Sequence, residues 1–80
     1  MGLIKFEKEG CAPCKALTEW LKENNIEYAS YNIMDNLRMV KQYNLKSVPV
    51  LISLDGEFEN GRVIGFSESK IEEIKTLVGL

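Results

Sequence analysis

The sequence predicts an α/β domain in the order β-α-β-α-β-β-α, with a four-stranded mixed sheet and helices on both faces. Three observations carry this. A short apolar run, Leu3 to Phe6, is followed at once by a helical pattern that Cys11-Ala12-Pro13-Cys14 opens. A second strand-like run, Ile26 to Ile33, follows that helix, which makes a parallel βαβ unit. Later, Asp55-Gly56 lies between two further apolar runs, a strong signal for an antiparallel hairpin. Helices on both sides are what such a sheet needs to bury its two faces.

Each element has its own justification. Glu7-Lys8-Glu9-Gly10 is a polar loop ending in a flexible residue. In the first helix Cys14, Leu17 and Leu21 recur at spacings of three and four, with Ala16 and Trp20 on the adjoining face. Lys15, Thr18, Glu19, Lys22 and Glu23 take the wet side, and Pro13 is tolerated because first-turn amides lack an intrahelical partner. Asn24-Asn25 is the expected stop. Ile26 to Ile33 is rich in β-branched and aromatic residues, and Tyr28 and Tyr31 fall on opposite faces of it. Asp35 is the expected cap of a short helix from Asn36 to about Tyr43, with Leu37, Val40 and Tyr43 as its apolar face and Met34 and Met39 as further packing. Asn44 suits a left-handed position after it. Pro49 to Leu54 is the third strand, its proline at the first position, where a missing donor is tolerated. Asn60-Gly61 is a second turn candidate and leaves the hairpin length open. Arg62 to Phe66 is the fourth strand. Ser69 to Glu72 matches a capping box, Ile71, Ile74, Leu77 and Val78 recur at helical spacing, and Gly79 ends the helix.

Length and composition bound the function. The chain has 80 residues, 45% hydrophobic and 28% charged, with no repeat or low-complexity run, so residues 1–80 are expected to form one domain. A domain of this size buries only about 60–65% of its unfolded surface, and two cysteines do not make a disulfide scaffold. Ten Lys and Arg against twelve Asp and Glu give a net charge of −2, and the lack of a strongly basic stretch argues against nucleic-acid binding. The longest apolar run, Val48 to Ile52, is far short of the roughly 20 residues of a membrane span. Met1 to Lys8 does not resemble a secretory signal, so a cytoplasmic location is expected. A monomer is expected, since no long apolar strand edge is evident. The chain has no histidine, which removes histidine triads, histidine general bases and most zinc sites.

The chemistry concentrates at Cys11 and Cys14. Two cysteines at this spacing, at a helix start directly after a strand, allow both sulfurs to meet in a small ring. The first sits where backbone N–H groups and the positive helix end favour a thiolate. Thiols in such settings ionise at about pH 3.5–7.5 against about 8.5 for a free one. With no histidine present, the helix end is the main activator, Lys8 and Lys15 assist, and Glu7 and Glu9 oppose. Cys11 is the expected exposed nucleophile; Cys14, one turn further on the apolar face, is the expected resolving thiol. Three other uses of the pair stay open at this point. Zinc takes four ligands and would need a symmetric dimer. An iron–sulfur cluster bridged by two chains has the same requirement. A purely structural disulfide would close a loop too short to stabilise much.

Cys11-Ala12-Pro13-Cys14-Lys15 is similar to the thioredoxin sequence Cys-Gly-Pro-Cys-Lys. Tyr43-Asn44-Leu45-Lys46-Ser47-Val48-Pro49-Val50-Leu51 resembles the family stretch leading into a cis-proline, and Asp55-Gly56-Glu57 the hairpin that follows. Ile64-Gly65-Phe66 resembles the Ser-Gly-Phe segment of redoxins that serve ribonucleotide reductase. The chain thus resembles the thioredoxin/glutaredoxin superfamily over nearly its whole length, as a compact glutaredoxin-like redoxin with a minimal thioredoxin fold. The resemblance implies a redox-active Cys11–Cys14 disulfide with no bound cofactor or metal. It implies an active-site loop of Ala12, Pro13 and Lys15, and a cis Pro49 lying against the pair. It also implies that the Val48 backbone pairs with an extended substrate segment and that Gly65 lets the substrate approach closely. Phe66, next to Gly65, is a candidate substrate-docking residue, with core packing as the alternative.

Two departures bear on the reductant. Thioredoxins carry Trp before the first cysteine, where this chain has Gly10, and glutathione-binding glutaredoxins carry Gly-Gly followed by Asp, where it has Gly65-Phe66-Ser67-Glu68. The expectation is a small dithiol–disulfide oxidoreductase acting on protein disulfides, with ribonucleotide reductase among the targets. Its electrons would come from NADPH through a thioredoxin-reductase-type flavoenzyme. The alternatives are a glutathione-dependent glutaredoxin and, outside enzymes, a thioredoxin-fold binding subunit of a larger complex.

Overall fold

The computed structural model describes residues 2–56 and 60–80. Its elements are β1 (Leu3–Glu7), α1 (Ala12–Glu23), β2 (Ala29–Asn32), a 3₁₀ turn (Ile33–Asp35), α2 (Leu37–Gln42), β3 (Val50–Ser53), β4 (Arg62–Ile64) and α3 (Glu68–Val78). The strand order is β2-β1-β3-β4. β1 runs parallel to β2 and antiparallel to β3, and β3 runs antiparallel to β4. This is the mixed four-stranded sheet that the sequence predicts.

Side-chain alternation on the strands divides the core in two. On one face Leu17 and Leu21 of α1 and Ile74 of α3 pack with Leu51 and Val63. On the other, Ile4, Phe6, Val50 and Ile52 lie under Tyr31, Met39 and Tyr43, so α2 covers that side. Helices therefore occupy both faces.

Several boundaries differ from the sequence reading, each for a local reason. β2 begins at Ala29 rather than Ile26, because Ile26 finishes the helix before it. Asn25 turns left-handed (φ 55°), its N–H reaches the Lys22 carbonyl, and the Ile26 N–H reaches the Leu21 carbonyl, both satisfying the end of α1. Asn44 (φ 54°) ends α2 in the same way. Asp35 does not cap α2. It closes a 3₁₀ turn that the Asn32 side chain caps by accepting from the Met34 N–H, and α2 starts after Asn36. Met34 and Leu37 are exposed rather than packed. The N-cap of α3 is Ser67, not Ser69; the two hydroxyls hydrogen-bond each other at 2.9 Å. The β3–β4 connection is longer than a two-residue turn at Asp55-Gly56 would make it. Ile52 pairs with Arg62, the Asn60 N–H donates to the Ser53 carbonyl, and Glu57 lies outside the described residues. β4 stops at Ile64 because Gly65 enters the left-handed region (φ 84°). Among the described residues no helix is long and apolar enough to cross a membrane.

Candidate functional site

The C-terminal end of β1 leads through Lys8, Glu9 and Gly10 to the start of α1. Gly10 has φ 74°, a conformation that a side chain would strain, and it delivers Cys11 to the N-cap position. Cys11 is extended (φ −101°, ψ 101°), so its sulfur folds back over the helix end and accepts from the Cys14 N–H at 3.2 Å. Its carbonyl takes the Lys15 N–H, and Pro13 fills a first-turn position that needs no donor. Cys11 and Cys14 are joined as a disulfide with Cα atoms 5.2 Å apart. Cys11 is partly exposed, while Cys14 is 3% exposed and Ala12, Pro13 and Lys15 face solvent.

The sheet brings the other sequence-predicted residues to the same end. Phe6 pairs with Val50 and Val50 with Ile64, so the entry to β3 and the exit of β4 flank the end of β1 that leads to the cysteines. The Val48–Pro49 peptide bond is cis, Pro49 is buried, and Val48 packs against the core on the α2 face. The Gly65 N–H donates to the Pro49 carbonyl at 2.8 Å, which ties the two segments together, and the space where a Gly65 side chain would project is open. Phe66 is partly buried against the α1/α3 core.

A recess of about 520 Å³ opens beside the pair; its walls include Glu7, Gly10, Cys11, Cys14, Thr18 and Asn32. A slightly larger one, about 590 Å³, lies at the opposite end of the sheet around Leu3, Ile26, Leu77 and Val78 and contains no cysteine. A buried charge lies behind the wall that Glu7 and Thr18 contribute to the recess beside the cysteines. Lys5 is 1% exposed, and its ammonium donates to the Thr18 hydroxyl and pairs with the Glu7 carboxylate at 2.7 Å. It also lies 5.0 Å from the centre of the Tyr28 ring. Thr18 in turn donates to the Cys14 carbonyl at 3.1 Å. The hydrogen bond from Lys5, reinforced by its charge and the Ser30 hydroxyl and opposed by partial burial, holds Glu7 below its ordinary value of 4.5.

By sequence pattern Thr18 falls on the wet side of α1 and Lys5 inside an apolar run, whereas the structure buries Lys5 and bonds it to Thr18. The available signal was the period of the strand: Leu3, Lys5 and Glu7 share one face, and Thr18 lies one turn beyond Cys14. Among the described residues no group of three or more His, Cys, Asp or Glu could hold a metal ion.

The glutaredoxin family model matches residues 4–59. A thioredoxin of Chlamydia caviae is 37% identical over 71 residues, covering 82% of this chain and 70% of that protein. The SPbeta prophage-derived thioredoxin-like protein YosR of Bacillus subtilis is 29% identical over 75 residues, covering 92% and 94%. Among solved structures, a mutant of the thioredoxin-like protein BC3987 superposes with a TM-score of 0.76 at 23% identity, covering 96% of this chain and 94% of that one.

Proposed function

This chain belongs to the glutaredoxin family and is a thiol–disulfide oxidoreductase with a Cys11–Cys14 redox disulfide, and we propose how its residues divide the work. Cys11, as thiolate, attacks a disulfide of a protein target. One target sulfur leaves as a thiolate and the other stays bound to Cys11 as a mixed disulfide. Cys14 then attacks the Cys11 sulfur, releases the second target thiol and leaves Cys11–Cys14 oxidised. Two electrons and two protons pass to the target. A reductase drawing on NADPH returns them to this chain.

The difference between the two sulfurs carries this order. Cys11 is the more exposed, and its sulfur accepts from the Cys14 N–H at the N-terminus of α1, where negative charge is favoured. Cys14 is 3% exposed, out of reach of a large substrate but bonded to the sulfur that it must attack. Val48, Gly65 and Phe66 border the same end and, with the buried cis Pro49 behind them, are the proposed docking surface for the extended target segment.

For the reductant, the active-site motif and the likeness to thioredoxins favour a thioredoxin-reductase-type flavoenzyme in the cytoplasm. The glutaredoxin family match favours glutathione as a second reading. Ribonucleotide reductase is the proposed target on the resemblance of Ile64-Gly65-Phe66. The deciding experiment follows NADPH consumption with insulin as acceptor, using thioredoxin reductase or glutathione with its reductase as electron donor. The proposal expects turnover with the first. Turnover with glutathione alone would overturn the choice of reductant. Silence with both, with partner binding that survives replacement of both cysteines by Ser, would overturn the reading of this chain as the carrier.

A further inference from the structure

We propose that Lys5 is a positioning residue for the cysteine pair: it neutralises the Glu7 carboxylate in the wall of the recess and props the Thr18 hydroxyl under the Cys14 carbonyl. The inference rests on the reading of Cys11 and Cys14 as a working dithiol.

Among the described residues, four charged side chains line the recess beside the pair: Glu7, Lys8 and Glu9 from β1 and its loop, and Lys15 from α1. β2 contributes only the neutral Asn32. Lys8, Glu9 and Lys15 are exposed, so water screens them. Glu7 is different: it is half-buried and held in one place. Reduction of the disulfide creates negative charge in the same recess, and a fixed carboxylate there would oppose it. Lys5 removes that opposition from below, at a position where its own charge is shielded from water. The same ammonium holds the Thr18 hydroxyl, which is bonded to the Cys14 carbonyl in the first turn of α1. Charge balance and helix geometry at the pair thus share one buried group.

The pair makes a prediction of opposite signs, which simple packing does not. Removing the cation leaves Glu7 uncompensated and disfavours the Cys11 thiolate. Removing the carboxylate leaves the cation uncompensated and favours it. The test follows the pH profile of iodoacetamide alkylation of the reduced full chain, with mass spectrometry assigning the modified cysteine. Lys5→Met is expected to move the Cys11 midpoint up by about half a pH unit and Glu7→Gln to move it down by a similar amount, about threefold in rate each way. The double variant is expected to return close to the wild-type midpoint. Equal shifts in one direction, or unmoved midpoints in folded variants, would overturn the proposal. If Lys5→Met does not fold, an unmoved midpoint in Glu7→Gln alone suffices to overturn it. The underlying reading fails separately, and recognisably, if wild-type Cys11 alkylates no faster than a free thiol and Cys11→Ser keeps full insulin reduction.

Discussion

Strand β1 meets the two sides of the molecule with different chemistry. Toward α2 it presents Ile4 and Phe6, packed with Val50 and Ile52, and the Phe6 ring lies 6.0 Å from Tyr31 and 5.6 Å from Tyr43. Toward α1, the helix that carries the cysteines, it presents Leu3, Lys5 and Glu7. The first face stabilises by removing apolar surface from water. The second gives up part of that gain to hold a paired charge. A buried ion pair contributes little net stability compared with apolar side chains of similar size. Its location beside the disulfide therefore points to function rather than to folding, and the two faces should respond differently to mutation.

The largest expected effect is on the apolar face. Phe6→Ala removes a fully buried ring and is expected to cost about 3–5 kcal/mol in denaturant unfolding. The molecules that stay folded should keep the Cys11 alkylation profile. A changed profile at full folding would break the proposed separation of the faces. On the charged face, Glu7→Gln is expected to cost about 1–2 kcal/mol, because it leaves the Lys5 ammonium buried with a neutral acceptor. Lys5→Met is expected to change stability by less than about 1 kcal/mol, since Glu7 can turn to water while the new side chain packs. The reverse order, with Lys5→Met the costlier, would show that the ion pair is there for stability. The smallest effect is the acid limb of stability. Glu7 has a lowered folded value, so its contribution is present above its ordinary value of 4.5 and is lost as pH falls through the lowered one. Glu7→Gln should flatten the stability profile in that window, measured by thermal unfolding as a function of pH.

The apolar packing of both faces was more legible than the charged pair. Ile4 and Phe6, Leu17 and Leu21, and Ile74 follow simple periods, so strand and helix order and most of the core could be read from residue spacing. The helix stop at Asn24-Asn25 and the left-handed Asn44 were also readable, because asparagine tolerates that backbone and sits where each apolar pattern stops. Boundaries were harder wherever one residue could serve two elements. Ile26 suits a strand but closes the end of α1, and Ser69 fits a capping box while Ser67 takes the position. The cysteines were visible as a motif, whereas the Lys5–Glu7 pair near them was not. A lysine in a strand reads as solvent-facing, and the Glu7 carboxylate together with the tertiary approach of Thr18 and Tyr28 makes burial tolerable for Lys5.

The most direct test of the central claim uses Cys14→Ser, which keeps the proposed nucleophile and removes the thiol that would release the product. Reduced Cys14→Ser protein is incubated with insulin and analysed by mass spectrometry without reductant. The account predicts a stable mixed disulfide through Cys11 and no catalytic turnover, with Cys11→Ser forming no such adduct. A Cys11→Ser protein that still reduces insulin at the wild-type rate would contradict it.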